Sequence, residues 1–229
     1  MHFMNITYYG HSCFSVEVNG KNLLFDPFIS PNILAKHINI SKIKTDYILI
    51  SHGHEDHVAD VESIAGNTGA KIICNWEIHN WFRGRGLENI HPMNTGGKIN
   101  LDFGSIKCVA AQHSSSMPDG SYGGNPMGFV IESSEGNFYY AGDTALTYDM
   151  KLIGDYRSID FAFLPIGDNV TMGVDNAIIA TEFINCQQII GMHYNTFDYI
   201  KIDKNEAVLK FQRAGKELTL LEIGESINK

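Results

Sequence analysis

Short apolar runs broken by glycine, asparagine and aspartate set the pattern of this chain, and runs of that length predict strands. The first half opens as a meander, with strands over 6–9, 15–18 and 22–25. Asn19-Gly20 between two apolar runs is a strong hairpin signal. A β-branched, aliphatic strand follows over 47–50, then a short helix around Ser63-Ile64-Ala65, a strand over 71–74 and a helix over 76–83. The second half repeats this grammar. A strand over 106–110 leads to a hairpin of 128–132 and 137–141 across Ser133-Ser134-Glu135-Gly136. Asp175 then caps a helix whose apolar positions Ile178, Ile179, Phe183 and Ile184 mark its buried face. A strand over 188–192, a helix over 205–214 and a strand over 218–221 complete the series. Strands first and helices after, twice over, predict an α/β chain with two sheets face to face and helices outside.

The polar residues that interrupt this pattern are not evenly spread. Ser51-His52-Gly53-His54-Glu55-Asp56-His57 follows the strand over 47–50 directly, so a rigid element delivers three imidazoles and a carboxylate into a loop. His52 and His54 alternate with Gly53 and project to one side of an extended backbone, while Asp56 and His57 fall after the turn and face a second position. One cluster can therefore serve two metal ions. An affinity tag would be terminal, contiguous and without a strand in front, and this run is none of these. Imidazole with carboxylate suits zinc first, and manganese, iron or nickel by the same donor set.

His-x-His-x-Asp-His after a buried strand resembles the metallo-β-lactamase superfamily, and later strand ends carry matching residues. Residues 106–113 run into His113, 138–144 into Gly142-Asp143-Thr144, and 188–194 into His193. The resemblance implies a four-layer αββα sandwich with its site along one edge of the paired sheets. It also implies that His52, His54 and His113 hold one ion, that Asp56, His57 and His193 hold the second, and that Asp143 bridges them. Tyr9-Gly10-His11-Ser12-Cys13-Phe14, Phe25-Asp26-Pro27-Phe28, Gly123-Gly124-Asn125-Pro126-Met127-Gly128, Leu164-Pro165-Ile166-Gly167-Asp168-Asn169 and Met192-His193-Tyr194-Asn195-Thr196-Phe197 narrow it further. They are similar to the small stand-alone metal-dependent hydrolase branch (UPF0173-like), which in turn resembles ascorbate-6-phosphate lactonase. The implied activity is hydrolysis of an ester, lactone, amide or phosphodiester by a hydroxide bridging two divalent ions.

One ligand has a second role, and two residues outside the ligand list need one. Asp56, in this superfamily, both touches a metal and orients the attacking water or passes its proton to the leaving group. Asp26, at a strand end before Pro27, is suited to accept the free ring N–H of a ligating histidine from the second shell. His11 either contacts substrate and handles a proton or hydrogen-bonds its own loop. The small, polar stretch 114–125 after His113 reads as a flexible lid or a substrate-contacting rim, with Asp168, Asn169 and Thr171 on the other side of the cleft.

Composition narrows the partners. At 229 residues and 44% hydrophobic content the chain can bury a full core as a single domain over 1–229. Against 17 basic residues stand 26 acidic ones, a formal charge of −9, which disfavours nucleic acid and leaves a small-molecule substrate. Cys13, Cys74, Cys108 and Cys186 form no Cys-x-x-Cys pair and read as free interior thiols, pointing to the cytoplasm. No apolar stretch approaches the roughly 20 residues of a transmembrane segment. A homo-oligomer is compatible with all of this. Two alternatives share the fold: a di-iron redox protein, whose relatives carry glutamate at the position of His54 and a flavin domain, and a metal-dependent nuclease or phosphodiesterase, which the charge opposes.

Overall fold

In this computed structural model residues 4–229 are described, and Met1, His2 and Phe3 lie outside the described residues. The chain opens with β1 (Asn5–Gly10), β2 (Cys13–Val18) and β3 (Lys21–Phe25), antiparallel throughout. Asn19 and Gly20 both adopt left-handed backbone angles, φ 48° and 73°, and place Val18 opposite Lys21 as a two-residue hairpin turn requires. β4 (Tyr47–Leu49) then adds parallel to β3, followed by α1 (Glu55–Val58), α2 (Val61–Thr68), β5 (Lys71–Asn75), α3 (Trp76–Gly84) and β6 (Ile90–Met93). The second half contains β7 (Lys98–Leu101), β8 (Gly104–Ala110), β9 (Met127–Ser133), β10 (Gly136–Tyr140), α4 (Met150–Tyr156) and β11 (Phe161–Pro165). It closes with α5 (Val174–Phe183), β12 (Gln188–Met192), α6 (Lys204–Arg213), β13 (Glu217–Thr219) and β14 (Ser226–Asn228).

Two seven-stranded sheets result, ordered β14-β1-β2-β3-β4-β5-β6 and β13-β12-β11-β10-β9-β8-β7. In each, three antiparallel pairings give way to three parallel ones, at β3/β4 in the first sheet and β10/β11 in the second. The parallel strands are apolar without alternation because both their faces are covered. Leu23, Phe25, Leu49 and Ile73 face the second sheet. Leu24, Ile48, Ile72 and Cys74 face the helices and pack on Val61, Ile64, Ile78 and Phe82. Met150, Ile153, Ala177, Ala180, Ala207 and Phe211 line the outer side of the second sheet, which completes an αββα sandwich. All four cysteines are free and buried. Among the described residues no helix is long and apolar enough to cross a membrane.

The predicted elements all form, with displaced ends, and the pattern misses others. The pattern does not predict β6, β7, β11, β14, α1 or α4. Asp175 does not cap α5: the N-cap is Gly173, in extended conformation, and Asp175 is the second helical residue, within the first turn. Ile179 is 44% exposed, because the close approach of α5 to the sheet is made by Ala177, Ala180 and Thr181.

Candidate metal centre

The carboxyl ends of β1, β3, β4, β8, β10 and β12 lie along one edge of the sandwich, and each is followed by one or more of the residues singled out above. His11, Asp26 and His193 all take left-handed backbone conformations, φ 57°, 42° and 55°, where a non-glycine residue costs on the order of 1 kcal/mol. Such conformations persist where the surroundings over-determine them. The amide of His193 donates to the carbonyl of His11 (3.0 Å) and the Tyr8 hydroxyl donates to the same oxygen (3.2 Å), so two of these turns lock each other.

The structure brings the candidate ligands together. His52 Nε2 and His54 Nδ1 approach to 3.0 Å, and His113 joins them in one group of potential donors. Asp143, 2% exposed, presents Oδ2 to His193 Nε2 at 2.9 Å, His57 Nε2 at 3.4 Å and His113 Nε2 at 3.6 Å. Asp56 Oδ2 lies 3.8 Å from His193 Nε2 and 3.9 Å from His57 Nε2. His11, Asp56, His57 and His193 form a second group of donors, so distance alone also admits His11 as a ligand.

Electrostatics divide the imidazoles into two sets. Burial, with neighbouring imidazoles adding to it, pushes His52 well below its ordinary pKa, and burial also lowers His54 and His113. These three keep bare nitrogens at neutral pH, the form that ligates a metal. Burial opposes charge on His57 and His193 as well, but Asp143 outweighs it, with Asp26 and Asp56 helping at His57. His57 is raised well above its usual value and His193 to about 9. Asp143 and Asp56 are held well below the carboxylate range, because the imidazoles of His57, His193 and His11 overcome the cost of burial. The centre thus carries negative potential that protons on histidine satisfy and a cation can satisfy instead. Buried His57 Nε2 and Asp143 Oδ1 have no hydrogen-bond partner, as expected of atoms shaped for a metal. The donor set fits divalent zinc, manganese, iron or nickel.

Behind the ligands Asp26 is fully buried and accepts four hydrogen bonds. Oδ1 accepts the Ser51 amide (2.7 Å), and Oδ2 accepts Ser51 Oγ (2.5 Å), His57 Nδ1 (2.8 Å) and the Tyr140 hydroxyl (2.8 Å). A carboxylate only accepts, so His57 carries a proton on Nδ1, which leaves Nε2, facing Asp143, as the atom that would exchange a proton for a metal. Ser51 Oγ, having donated to Asp26, accepts from His52 Nδ1 at 2.9 Å and fixes that tautomer too. One carboxylate therefore orients a histidine of each donor group.

Sequence reasoning missed Ser51, Tyr140, Thr144 and Thr196. Thr144 accepts the Gln112 amide at 3.0 Å and, with the Ala145 amide bonded to Gln112, sets His113 beside Asp143. The x-Thr of Gly142-Asp143-Thr144 was a visible signal for it; Ser51 sat at the head of the histidine run, and Tyr140 and Thr196 had no signal beyond residue type. His11 has both ring nitrogens engaged, Nε2 with Asp56 (3.0 Å) and Nδ1 with Thr196 (2.9 Å), and is 1% exposed. Direct contact with substrate is therefore not available to it as it stands.

The stretch 114–125 is tied by hydrogen bonds to the histidine loop and to β5. Ser115 Oγ accepts the Gly53 amide (3.0 Å) and donates to the Gly123 carbonyl (2.9 Å); Asn75 donates to that same carbonyl (2.7 Å), and Met117 is buried. Asp168 and Asn169 form an exposed left-handed turn and bond no candidate ligand. At Gly142, φ 61°, a Cβ would stand 2.6 Å from that of Ser51. Gly142→Ala is expected to lose roughly 2–4 kcal/mol of stability from left-handed strain plus overpacking, and metal affinity with it. Urea midpoints and metal titration check this.

A two-sheet sandwich with imidazoles and carboxylates at its strand ends is the architecture of a metal-dependent hydrolase. Residues 5–193 match the model of the beta-lactamase superfamily domain, and the chain belongs to that superfamily, in its UPF0173 metal-dependent hydrolase family. It is 55% identical over 224 residues to a UPF0173 metal-dependent hydrolase of Flavobacterium johnsoniae, covering 98% of this chain and 99% of that one. Identity to the corresponding Christiangramia forsetii protein is 54% over 225 residues, with the same coverage. Among solved structures it is similar to Igni18, a metallo hydrolase of the hyperthermophilic archaeon Ignicoccus hospitalis, at 35% identity and a TM-score of 0.90, covering 100% and 99% of the two chains.

Proposed function

We propose that the protein is a single-domain hydrolase with two divalent ions, zinc being the first expectation, that cleaves an ester, lactone, amide or phosphodiester in a small substrate. The observation that carries this reading is the convergence of three imidazole nitrogens on Asp143 Oδ2, with two further imidazoles completing a separate group beside them. His52, His54 and His113 would hold one ion, Asp56, His57 and His193 the other, and Asp143 would bridge. Bound metal supplies a hydroxide at neutral pH and Lewis acidity for the charge that develops on the substrate. Asp56, ionised and half-buried at the mouth of the centre, takes up the proton of the attacking water or passes it to the leaving group. Asp26 and Ser51 hold the rings of His57 and His52 still while this happens. The formal charge of −9 favours a small substrate over nucleic acid. Free, buried thiols support the expectation that this activity belongs to the cytoplasm.

A panel of p-nitrophenyl esters, bis-p-nitrophenyl phosphate and lactones, run on metal-defined protein, tests the reading. Turnover of at least one class should vanish on chelation and return with zinc or manganese. Turnover indifferent to chelation, or absent from every metal-replete preparation, would reject it. His11→Ala should keep both ions by elemental analysis while turnover falls on the order of 10–100-fold, since His11 acts through Asp56. Loss of an ion would instead make His11 a ligand.

A further inference from the structure

His11 stands within ligand range of the same position as Asp56, His57 and His193, yet its Nε2 also sits 3.0 Å from Asp56 Oδ2. Whether that nitrogen donates a proton or offers a lone pair depends on the other side of the ring. There Thr196 Oγ lies 2.9 Å from Nδ1, while the hydroxyl's other acceptor in reach, the Tyr194 carbonyl, is at 3.5 Å. We propose that Thr196 is a positioning residue: its hydroxyl donates to His11 Nδ1, fixes the Nε2–H tautomer, and so makes His11 a donor to Asp56 and keeps it from ligating the metal. The inference rests on the reading of Asp56 as a ligand that also handles the proton.

The argument is one of donors and acceptors. Asp56 accepts only, so the nitrogen facing it carries hydrogen. A neutral imidazole has one such hydrogen, and Nδ1 is then bare and needs a donor, which the Thr196 hydroxyl supplies. A second proton on the ring is opposed by burial and by His193 and His57, whose ring centres lie 4.1 and 5.7 Å away. The ring has little freedom to settle the matter by turning. Phe28 and Phe197 wall it at 5.6 and 5.4 Å between ring centres, and its backbone is held by Tyr8 and His193. What remains adjustable is the place of the proton. A bare Nε2 would add a fifth protein donor to Asp56, His57, His193 and the bridging Asp143, and take a position that catalytic sites keep open.

Thr196→Val removes the hydroxyl at nearly constant shape, and Thr196→Ser keeps it. Ring nitrogen shifts of His11, read by NMR on histidine-labelled protein with His11→Asn for assignment, report the tautomer in metal-free and zinc-loaded samples. The wild type and Thr196→Ser should show protonated Nε2 and bare Nδ1 in both. Thr196→Val should lose that pattern, with Nε2 moving toward the bare or zinc-bound shift. Turnover of the best p-nitrophenyl substrate should fall 10–100-fold, chiefly in kcat, and Thr196→Ser should restore it. A wild-type ring protonated on Nδ1, or a Thr196→Val ring unchanged from wild type, overturns the proposal. Absence of turnover in the wild type would count against the hydrolase reading alone, because the ring shifts decide the tautomer without it.

Discussion

Asp143→Ala should leave the protein with no more than one ion per chain and with turnover reduced by more than about 10³-fold. The magnitude follows from the several kcal/mol of charge stabilisation that a second ion and its acidified water provide, at 1.36 kcal/mol per decade. Asp143 Oδ2 faces the Nε2 atoms of both donor groups, His113 on one side and His57 and His193 on the other. Without it two cations would confront each other unscreened. Elemental analysis after dialysis at a fixed free metal concentration measures the loss, and two ions retained at wild-type affinity would remove Asp143 from the bridging role. The metal-free protein offers a separate check. His193 is raised to about 9 in the folded state, chiefly by Asp143 working against burial. A raised pKa contributes stability that is fully present below the unfolded value near 6.5 and lost as pH rises through about 9. The stability gap between chelated wild type and Asp143→Ala should therefore be widest just below pH 6.5 and shrink as pH rises toward 9, as urea midpoints across that range will show.

The parts of the site that are contiguous in sequence were legible, and those assembled across the fold were not. His52, His54, Asp56 and His57 announce themselves because one strand end delivers all four. His113, Asp143 and His193 have the same strand-end context, but only the resemblance singled them out from histidines such as His91, which lies within β6. The supporting residues escaped for a different reason. Ser51 and Tyr140 meet Asp26 from 25 and 114 positions away, and Thr196 meets His11 from 185, and serine, tyrosine and threonine are too common to mark such a role. The missed strands follow similar logic. β11, Phe161-Ala162-Phe163-Leu164-Pro165, is buried on both faces and so lacks the alternation that marks a half-buried strand. β6 contains Pro92 and lies at a sheet edge, where proline is tolerated but disguises the strand. β14 is a three-residue edge strand of largely polar composition, recruited from the far end of the chain to cover β1.

The duplicated pairing pattern explains why the site lies where it does. Each sheet changes from antiparallel to parallel next to the strand that supplies an inner carboxylate, β3 before Asp26 and β10 before Asp143. Both carboxylates thereby come from the middle of a sheet, where neighbours on either side fix the backbone, and histidines arrive from the strands around them. Rigid delivery matters because ligand geometry must be held to within a fraction of an ångström to favour metal over protons.

Asp26→Ala should be the most destabilising change at the centre, costing about 3–5 kcal/mol, as expected when one member of a buried charged network is removed. The carboxylate has no exposure, and its loss leaves the amide and hydroxyl of Ser51 and the Nδ1–H of His57 without their buried acceptor, while the Tyr140 hydroxyl keeps the Ser12 carbonyl at 2.8 Å. Because Asp26 follows β3 of one sheet and Tyr140 belongs to β10 of the other, the network also joins the sheets at the edge that carries the ligands. The effect on metal should appear at both positions. His57 loses its partner directly and His52 loses it through Ser51, so zinc affinity should fall 10–100-fold for each of two ions. Tyr140→Phe separates the two consequences. Burial and the neighbouring Asp26 carboxylate keep the Tyr140 hydroxyl protonated, and removing it leaves Asp26 with three donors still in place. That variant should lose only about 1–3 kcal/mol and bind both ions as the wild type does. Urea denaturation and competitive zinc titration of the two variants test the division, and wild-type zinc affinity in Asp26→Ala would show that the ligand rings hold their orientation without this carboxylate.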